Sequence, residues 1–270
     1  MLICPNCGSP LVRGDGVLGC EKGHRFDLAA SGYCNLLLGK KAGEFTGDSR
    51  EMVSARRRFL DSGAYGPLRE ALCRLALSLA PDPVRLLDAG CGEGYYTRAV
   101  TAALVSSGRT VEALGVDISK AAANYAAKRD KLTRYVTASS YHLPVSDHSE
   151  DLILSLFAPA PPEEFARVLA PTGRVVLVVP GTAHLWELKK AIYDEPYENR
   201  EDKHVLPGFR QTGREKLTYR VHLDDSQQIQ DLFSMTPYIH RTGKDSMDRL
   251  RALSEMGLTL SFLLLTFEKE

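Results

Sequence analysis

From Val84 onward, short apolar runs alternate with stretches of helical periodicity. Val84–Leu87, Val111–Val116, Arg134–Thr137, Asp151–Phe157 and Gly173–Val179 read as strands. Between them, Tyr96–Leu104, Lys120–Lys128, Pro162–Leu169 and His184–Tyr193 read as helices. That alternation predicts βαβ units and a parallel sheet covered on both faces. The tail adds strands over Leu217–Leu223 and Leu258–Glu268, with helices near Gln227–Phe233 and Ser246–Ser254. Upstream, a helix capped by Asp48 or Ser49 runs through Met52, Ala55, Phe59 and Leu60. A second follows Pro67, with Leu68, Leu72, Leu75 and Leu79 on one face.

The first thirty residues follow no such period. Pro5, Gly8, Pro10, Gly14, Gly16, Gly19 and Gly23 interrupt short apolar pairs, so this head needs a staple to fold. A loop-like stretch follows at Gly39-Lys40-Lys41-Ala42-Gly43. The staple is legible as Cys4-x-x-Cys7, twelve residues, then Cys20-x-x-x-His24. Zinc prefers four tetrahedral thiolate or imidazole ligands, and two close pairs on two turns supply them. With all four positions filled, this zinc holds a fold and activates no water. Of the other three cysteines, Cys34 and Cys73 read as small core residues, and Cys91 falls in a glycine-rich loop.

Composition adds few constraints. The apolar share is 44% and the formal charge is zero, so RNA contact requires a local basic patch. Arg56, Arg57 and Arg58, with Lys40, Lys41, Arg13 and Arg25, offer one; a solvated helix face is the plain alternative. The start leads straight to Cys4 without a secretory pattern, and Leu258 to Phe267 is too short and too interrupted to span a bilayer. A cytoplasmic location without membrane contact is expected.

The second chemical signal is Asp88-Ala89-Gly90-Cys91-Gly92-Glu93-Gly94, between a strand and a helix. Glycines let the backbone turn sharply and approach a ligand, and the helix start offers free amides. An acid followed by G-x-G-x-G resembles the first motif of class I methyltransferases more than a dehydrogenase fingerprint. In that family the loop passes under the methionine part of S-adenosylmethionine. Asp117 ends the next strand, where an acid accepts hydrogen bonds from ribose hydroxyls; capping the following helix is the alternative. Ala138 to Pro144 falls where such enzymes line the adenine, with His142 read as a loop residue. Leu169-Ala170-Pro171-Thr172-Gly173 resembles the superfamily's turn before its fifth strand.

Further segments sharpen the resemblance. They are His24-Arg25-Phe26-Asp27, Gly32 to Leu37, Gly47-Asp48-Ser49-x-Glu51-Met52, Ala55-Arg56-Arg57-x-Phe59-Leu60-Asp61, Gly90 to Thr97, Phe157-Ala158-Pro159, Pro180-Gly181-x-x-His184-Leu185 and Met235-Thr236-Pro237-Tyr238. Together they resemble the large-subunit (23S) ribosomal RNA guanine-N1 methyltransferases, which carry a zinc module on a class I domain. The resemblance implies a Rossmann-like, doubly wound, mostly parallel sheet with a small N-terminal zinc-binding module. It implies zinc on Cys4, Cys7, Cys20 and His24, and S-adenosylmethionine contacts from Tyr65, Gly92, Glu93 and His184, beside Asp88, Gly90, Gly94 and Asp117 of the loop and strand-end readings. Packing of the inter-helix turn is the alternative for Tyr65, and a place in a helix N-cap region that for His184. Arg56, Arg57, Phe157 and Pro159 are the expected substrate contacts, and ribosomal RNA the expected partner.

Three regions are expected: an RNA-recognising zinc module over 1–35, a helical connector covering the pocket over 36–82, and the transferase over 83–270. No general base is named, since Asp147 and Asp151 read as solvated or capping acids. A homodimer stays open. So do two rival activities, a methyltransferase acting on a small molecule and a non-catalytic RNA-binding relative.

Overall fold

A computed structural model describes residues 2–38, 47–201 and 204–270. The expected loop at Gly39–Gly43, with Lys40 and Lys41, lies outside the described residues. The head contains a small antiparallel sheet of β1 (Val12–Arg13), β2 (Val17–Gly19) and β3 (Arg25–Asp27). It continues into β4 (Cys34–Asn35). Helices α1 (Arg50–Asp61) and α2 (Gly66–Leu79) then precede the alternating region. There follow β5 (Val84–Ala89), α3 (Tyr95–Ser106), β6 (Val111–Asp117), α4 (Lys120–Arg129), β7 (Thr133–Thr137), β8 (Glu150–Leu156), α5 (Pro162–Val168), β9 (Leu169–Pro180) and α6 (Trp186–Ile192). The tail is β10 (Phe209–Leu223), α7 (Ser226–Ser234), α8 (Lys244–Arg251) and β11 (Met256–Lys269).

One eight-stranded sheet organises the body, in the order β10-β11-β9-β8-β5-β6-β7-β4. The strands from β9 through β4 pair in parallel, and β11 runs antiparallel to both β9 and β10. Alternate residues feed two cores. Leu86, Leu152 and Leu154 face the helices α1, α2 and α3, while Leu87, Ile153 and Val175 face α5 and the head. Burial on both faces explains why the central strands read as continuous apolar runs. The chain moves outward from β5 through β6 and β7, then returns to β8 on the other side. That reversal at β5 opens a crevice at the carboxyl ends of β5 and β8, where ligands bind in such sheets.

Three departures from the sequence pattern have physical causes. β10 begins eight residues before the expected Leu217, because Arg210 to Lys216 is polar and joins the sheet through backbone pairing, without an apolar pattern to mark it. The expected turn at Leu169–Gly173 lies within β9. Glu150 pairs Leu169 and Leu152 pairs Arg174, so residues 170–173 loop out between them. Gly173 permits this, since a Cβ there would sit 2.6 Å from a Leu169 methyl. β4 had no sequence signal at two residues, yet it adds the head to the sheet edge through Cys34↔Val136 and Asn35↔Thr137. Leu2, Leu11, Leu18 and Leu36 join the same buried cluster as Leu87 and Val136, so the head shares the body's core.

Candidate active site and metal centre

Two tight turns build the metal centre. The Gly8 amide donates to the Cys4 carbonyl at 2.8 Å, and the Gly23 amide donates to the Cys20 carbonyl at 3.0 Å. Gly8 and Gly23 take φ of 73° and 83°, which a side chain would resist. These turns bring the ligand atoms of Cys4, Cys7, Cys20 and His24 within 4.8 Å of one another. Cys7 and Cys20 sulfurs lie 3.7 Å apart, and His24 Nδ1 lies 3.5 Å from Cys4 and 3.4 Å from Cys20. Tetrahedral zinc with ordinary bond lengths would set about 3.8 Å between sulfurs and about 3.6 Å between sulfur and nitrogen. The spacing fits. The Ser9 backbone N–H also stabilises the Cys7 thiolate, holding its pKa down to about 6, while burial pushes Cys4 up. Cys34, buried in β4, points its thiol at the carbonyls of Phe26 and Asp27 and is a core residue.

At the carboxyl end of β5, the glycine loop adopts positive φ at Gly90, Gly92 and Gly94. Gly90 admits nothing larger, because its Cβ would sit 2.4 Å from that of Ala158. Asp117 braces the loop, accepting from the Gly92 amide and the Ser119 amide at 2.8 Å each. Helix α4 has its own cap, the Ser119 hydroxyl, which accepts from the Ala122 amide. Each Asp117 oxygen therefore keeps a second lone pair for a ligand.

Beside the loop is a narrow cleft. Asp88, Gly90, Gly92 and Glu93 line it from the loop, Tyr95 and Tyr96 from α3, Arg56 and Leu60 from α1, and Leu156 and Phe157 from the end of β8. Asp88 accepts from the Thr97 hydroxyl at 2.6 Å, and Glu93 pairs with Arg129 at 3.3 Å. Burial pushes both carboxyls up to about 7. Among the described residues eight buried side-chain polar atoms lack a hydrogen-bond partner; Ser31 Oγ, Thr137 Oγ1 and Tyr193 Oη lie elsewhere, and the other five are Arg56 Nε, Asp88 Oδ1, Glu93 Oε1, Tyr95 Oη and Tyr96 Oη. All five belong to this one cleft, and a buried polar atom without a partner costs roughly 1–3 kcal/mol. Such a wall fits a polar ligand carrying positive charge, as S-adenosylmethionine does at its sulfonium and ammonium.

Phe157 stands at the mouth, 42% exposed, with φ of 54°. A bulky residue in that region costs on the order of 1–3 kcal/mol and persists where the surroundings enforce it. Its amide donates to the Val178 carbonyl at 3.0 Å, and its ring lies near-parallel to His184 with centroids 6.5 Å apart. Phe262 packs on both rings. His184 accepts from the Ser261 amide at Nδ1, so Nε2 carries the proton and donates to Tyr65 Oη at 3.5 Å. Burial holds His184 neutral, with its pKa down to about 3. Tyr65 and His184 thus form a buried layer beneath Phe157 and are not among the residues lining the cleft.

The three consecutive arginines do not form one surface. Arg56 faces the cleft, Arg57 lies over the Tyr125 ring, and Arg58 makes a two-pronged pair with Asp231. Asp147 pairs with Arg167, and Asp151 with Arg85 at the opposite end of β8, so neither acid reaches the cleft. His142 is exposed. Sequence reasoning missed Thr97 as the partner of Asp88 and Arg129 as the partner of Glu93. Arg129 is 36 residues from its acid and gave no signal.

Residues 2–41 match the family described as RlmA, N-terminal, a zinc ribbon, and residues 86–176 match the methyltransferase domain family. The chain is 33% identical to the 23S rRNA (guanine(748)-N(1))-methyltransferase of Streptomyces fradiae, over 97% of this chain and 95% of that protein. It is 32% identical to a putative 23S rRNA (guanine-N(1)-)-methyltransferase of Micromonospora griseorubida, over 94% of this chain and 92% of that one. A putative type II methyltransferase structure from Anaeromyxobacter dehalogenans shares the fold, with a TM-score of 0.52 and 18% identity over 74% of this chain and 95% of its own. With likeness running through both the zinc head and the transferase body, this chain belongs to the 23S rRNA (guanine-N1) methyltransferase family.

Proposed function

We propose that this chain transfers a methyl group from S-adenosylmethionine to N1 of one guanine in 23S ribosomal RNA. The observation that carries the reading is the full-length likeness to relatives named for that reaction, on a chain whose cleft holds two acids, each with one unpartnered oxygen, beside an exposed aromatic. Bound S-adenosylmethionine supplies an electrophilic methyl on sulfur. Asp117 takes the ribose hydroxyls with its free lone pairs. The glycines at 90, 92 and 94, bare of side chains, allow close approach, and Asp88 and Glu93 face the positive end. Tyr65 and His184 close the site from beneath.

Phe157 receives the target base on its exposed ring, a contact worth roughly 1–3 kcal/mol per base. Pro159 stiffens the turn that presents it. Guanine N1 must lose its proton before or during attack, so a base held against Phe157 must also reach an acceptor. The zinc head over 1–35 reads RNA, the connector over 36–82 covers the cleft, and residues 83–270 carry the transferase. Arg13 and Arg25 of the head are exposed, and Arg57 is half-buried on α1; these cations serve the RNA phosphates.

The test is genetic. Removing the gene should erase one 1-methylguanosine from 23S rRNA and leave every other modification in place. Unchanged rRNA, with a small methylated metabolite lost instead, would move the chain to the rival activity.

A further inference from the structure

The cleft wall carries an asymmetry of charge. Its acids are Asp88 and Glu93, both buried, with Asp117 bracing the loop beside them. Among the described residues lining it, Arg56 is the one cation. Arg56 Nη2 donates to Asp48 at 2.6 Å, and the side chain is 27% exposed. Its Nε is buried and without a partner. Asp48 is itself anchored, since its carbonyl accepts from the Ser119 hydroxyl at 2.8 Å next to the Asp117 turn. One prong of the guanidinium is therefore fixed, and its Nε edge is left for something else.

We propose that Arg56 is the receptor for the α-carboxylate of the cofactor's methionine moiety. The inference rests on the reading that this cleft holds S-adenosylmethionine. The unpartnered Nε–H is a cationic donor suited to a carboxylate, and such charge-assisted bonds are about twice as strong as neutral ones. The methionine end is a zwitterion, so its ammonium suits the acids of the loop while its carboxylate suits Arg56. An RNA phosphate has no such second half. Brought to the same wall it would face Asp48, Asp88 and Glu93 with like charge. The burial of Nε also favours a ligand inside the cleft over a backbone passing across the surface. Arg56 then belongs to the cofactor, although its sequence neighbours suggested a phosphate cluster.

Two probes separate these roles in the full-length chain. S-adenosylhomocysteine carries the amino-acid carboxylate, while 5′-methylthioadenosine shares the adenosine and thioether but lacks the amino acid. By calorimetry, Arg56→Gln should weaken S-adenosylhomocysteine on the order of ten- to a hundred-fold and leave 5′-methylthioadenosine unchanged. Arg56→Lys keeps the charge without that Nε–H and should fall between. Retained 5′-methylthioadenosine binding also shows that the variant is folded. Equal weakening of both ligands would overturn the proposal and make Arg56 a brace acting through Asp48. Unchanged S-adenosylhomocysteine with weakened RNA binding would overturn it in favour of a phosphate contact. Failure of the unsubstituted chain to bind either ligand would overturn the cofactor reading and this inference together, before any substitution is made.

Discussion

The zinc centre takes its four ligands from two turns between residues 4 and 24, whereas the cleft draws on Arg56, Asp88, Glu93 and Phe157. Each zinc turn is closed by its own backbone hydrogen bonds, so ligand spacing in the sequence already defines the geometry. The cleft exists only because β5 and β8 lie side by side at the sheet's reversal, and because α1 returns from the connector to cover it. A site closed locally is readable from spacing. One closed by topology can be read only at its loop. The two regions are also coupled, since β4 joins the head to β7 and its leucines enter the body's core.

The largest expected effect tests that coupling. Structural zinc contributes on the order of 10–16 kcal/mol in isolated finger peptides. Purified chain should carry one zinc, and Cys20→Ser or chelation should unfold the head. Because β4 pairs with β7, hydrogen exchange should then quicken at Thr137 while β5 stays protected. Loss of zinc with exchange at β7 unchanged would show that head and body are independent.

Next in size is a pH effect confined to the cleft. Burial raises Asp88 from 3.8 to about 7 and Glu93 from 4.5 to about 7. A carboxyl raised on folding favours the native state fully below its unfolded pKa, and that contribution is lost as pH rises through the folded one. The ligand-free chain should therefore lose stability between about pH 4 and about pH 7, by up to roughly 4 kcal/mol for Asp88. Asp88→Asn should flatten the slope in thermal melts. A slope identical to that of the unsubstituted chain would remove Asp88 as its source.

Asp117→Asn probes the seam between loop and ligand. It should weaken S-adenosylhomocysteine by about 1.5–3 kcal/mol and lower the melting temperature as well, since Asn keeps only one of the two oxygens that take the Gly92 and Ser119 amides. Unchanged affinity would reduce Asp117 to a brace for Gly92. Smaller still, Phe157→Ala should cut kcat/KM on rRNA by an amount equivalent to roughly 1–3 kcal/mol with cofactor affinity nearly intact. A parallel loss of cofactor affinity would place Phe157 with the cofactor rather than the base.

What the sequence disclosed follows the same division. Central strands such as Glu150–Leu156 were legible because nearly every residue is buried, and the glycine loop because its shape forbids side chains. The first half of β10 was invisible, being polar on both sides. Arg56 was read with its neighbours as one basic run, although helical geometry sends Arg56, Arg57 and Arg58 to the cleft, Tyr125 and Asp231. Nothing local marked Arg129 as the partner of Glu93, because only the folded α4 brings them together.

Zinc head and cleft are proposed to serve one reaction on ribosomal RNA. Purified chain, methyl-labelled S-adenosylmethionine and 23S rRNA lacking the modification test it directly, with the RNA digested to nucleosides afterwards. Label should appear in 1-methylguanosine, one per rRNA molecule. Label in another nucleoside, or none despite bound cofactor and zinc, would contradict the proposal.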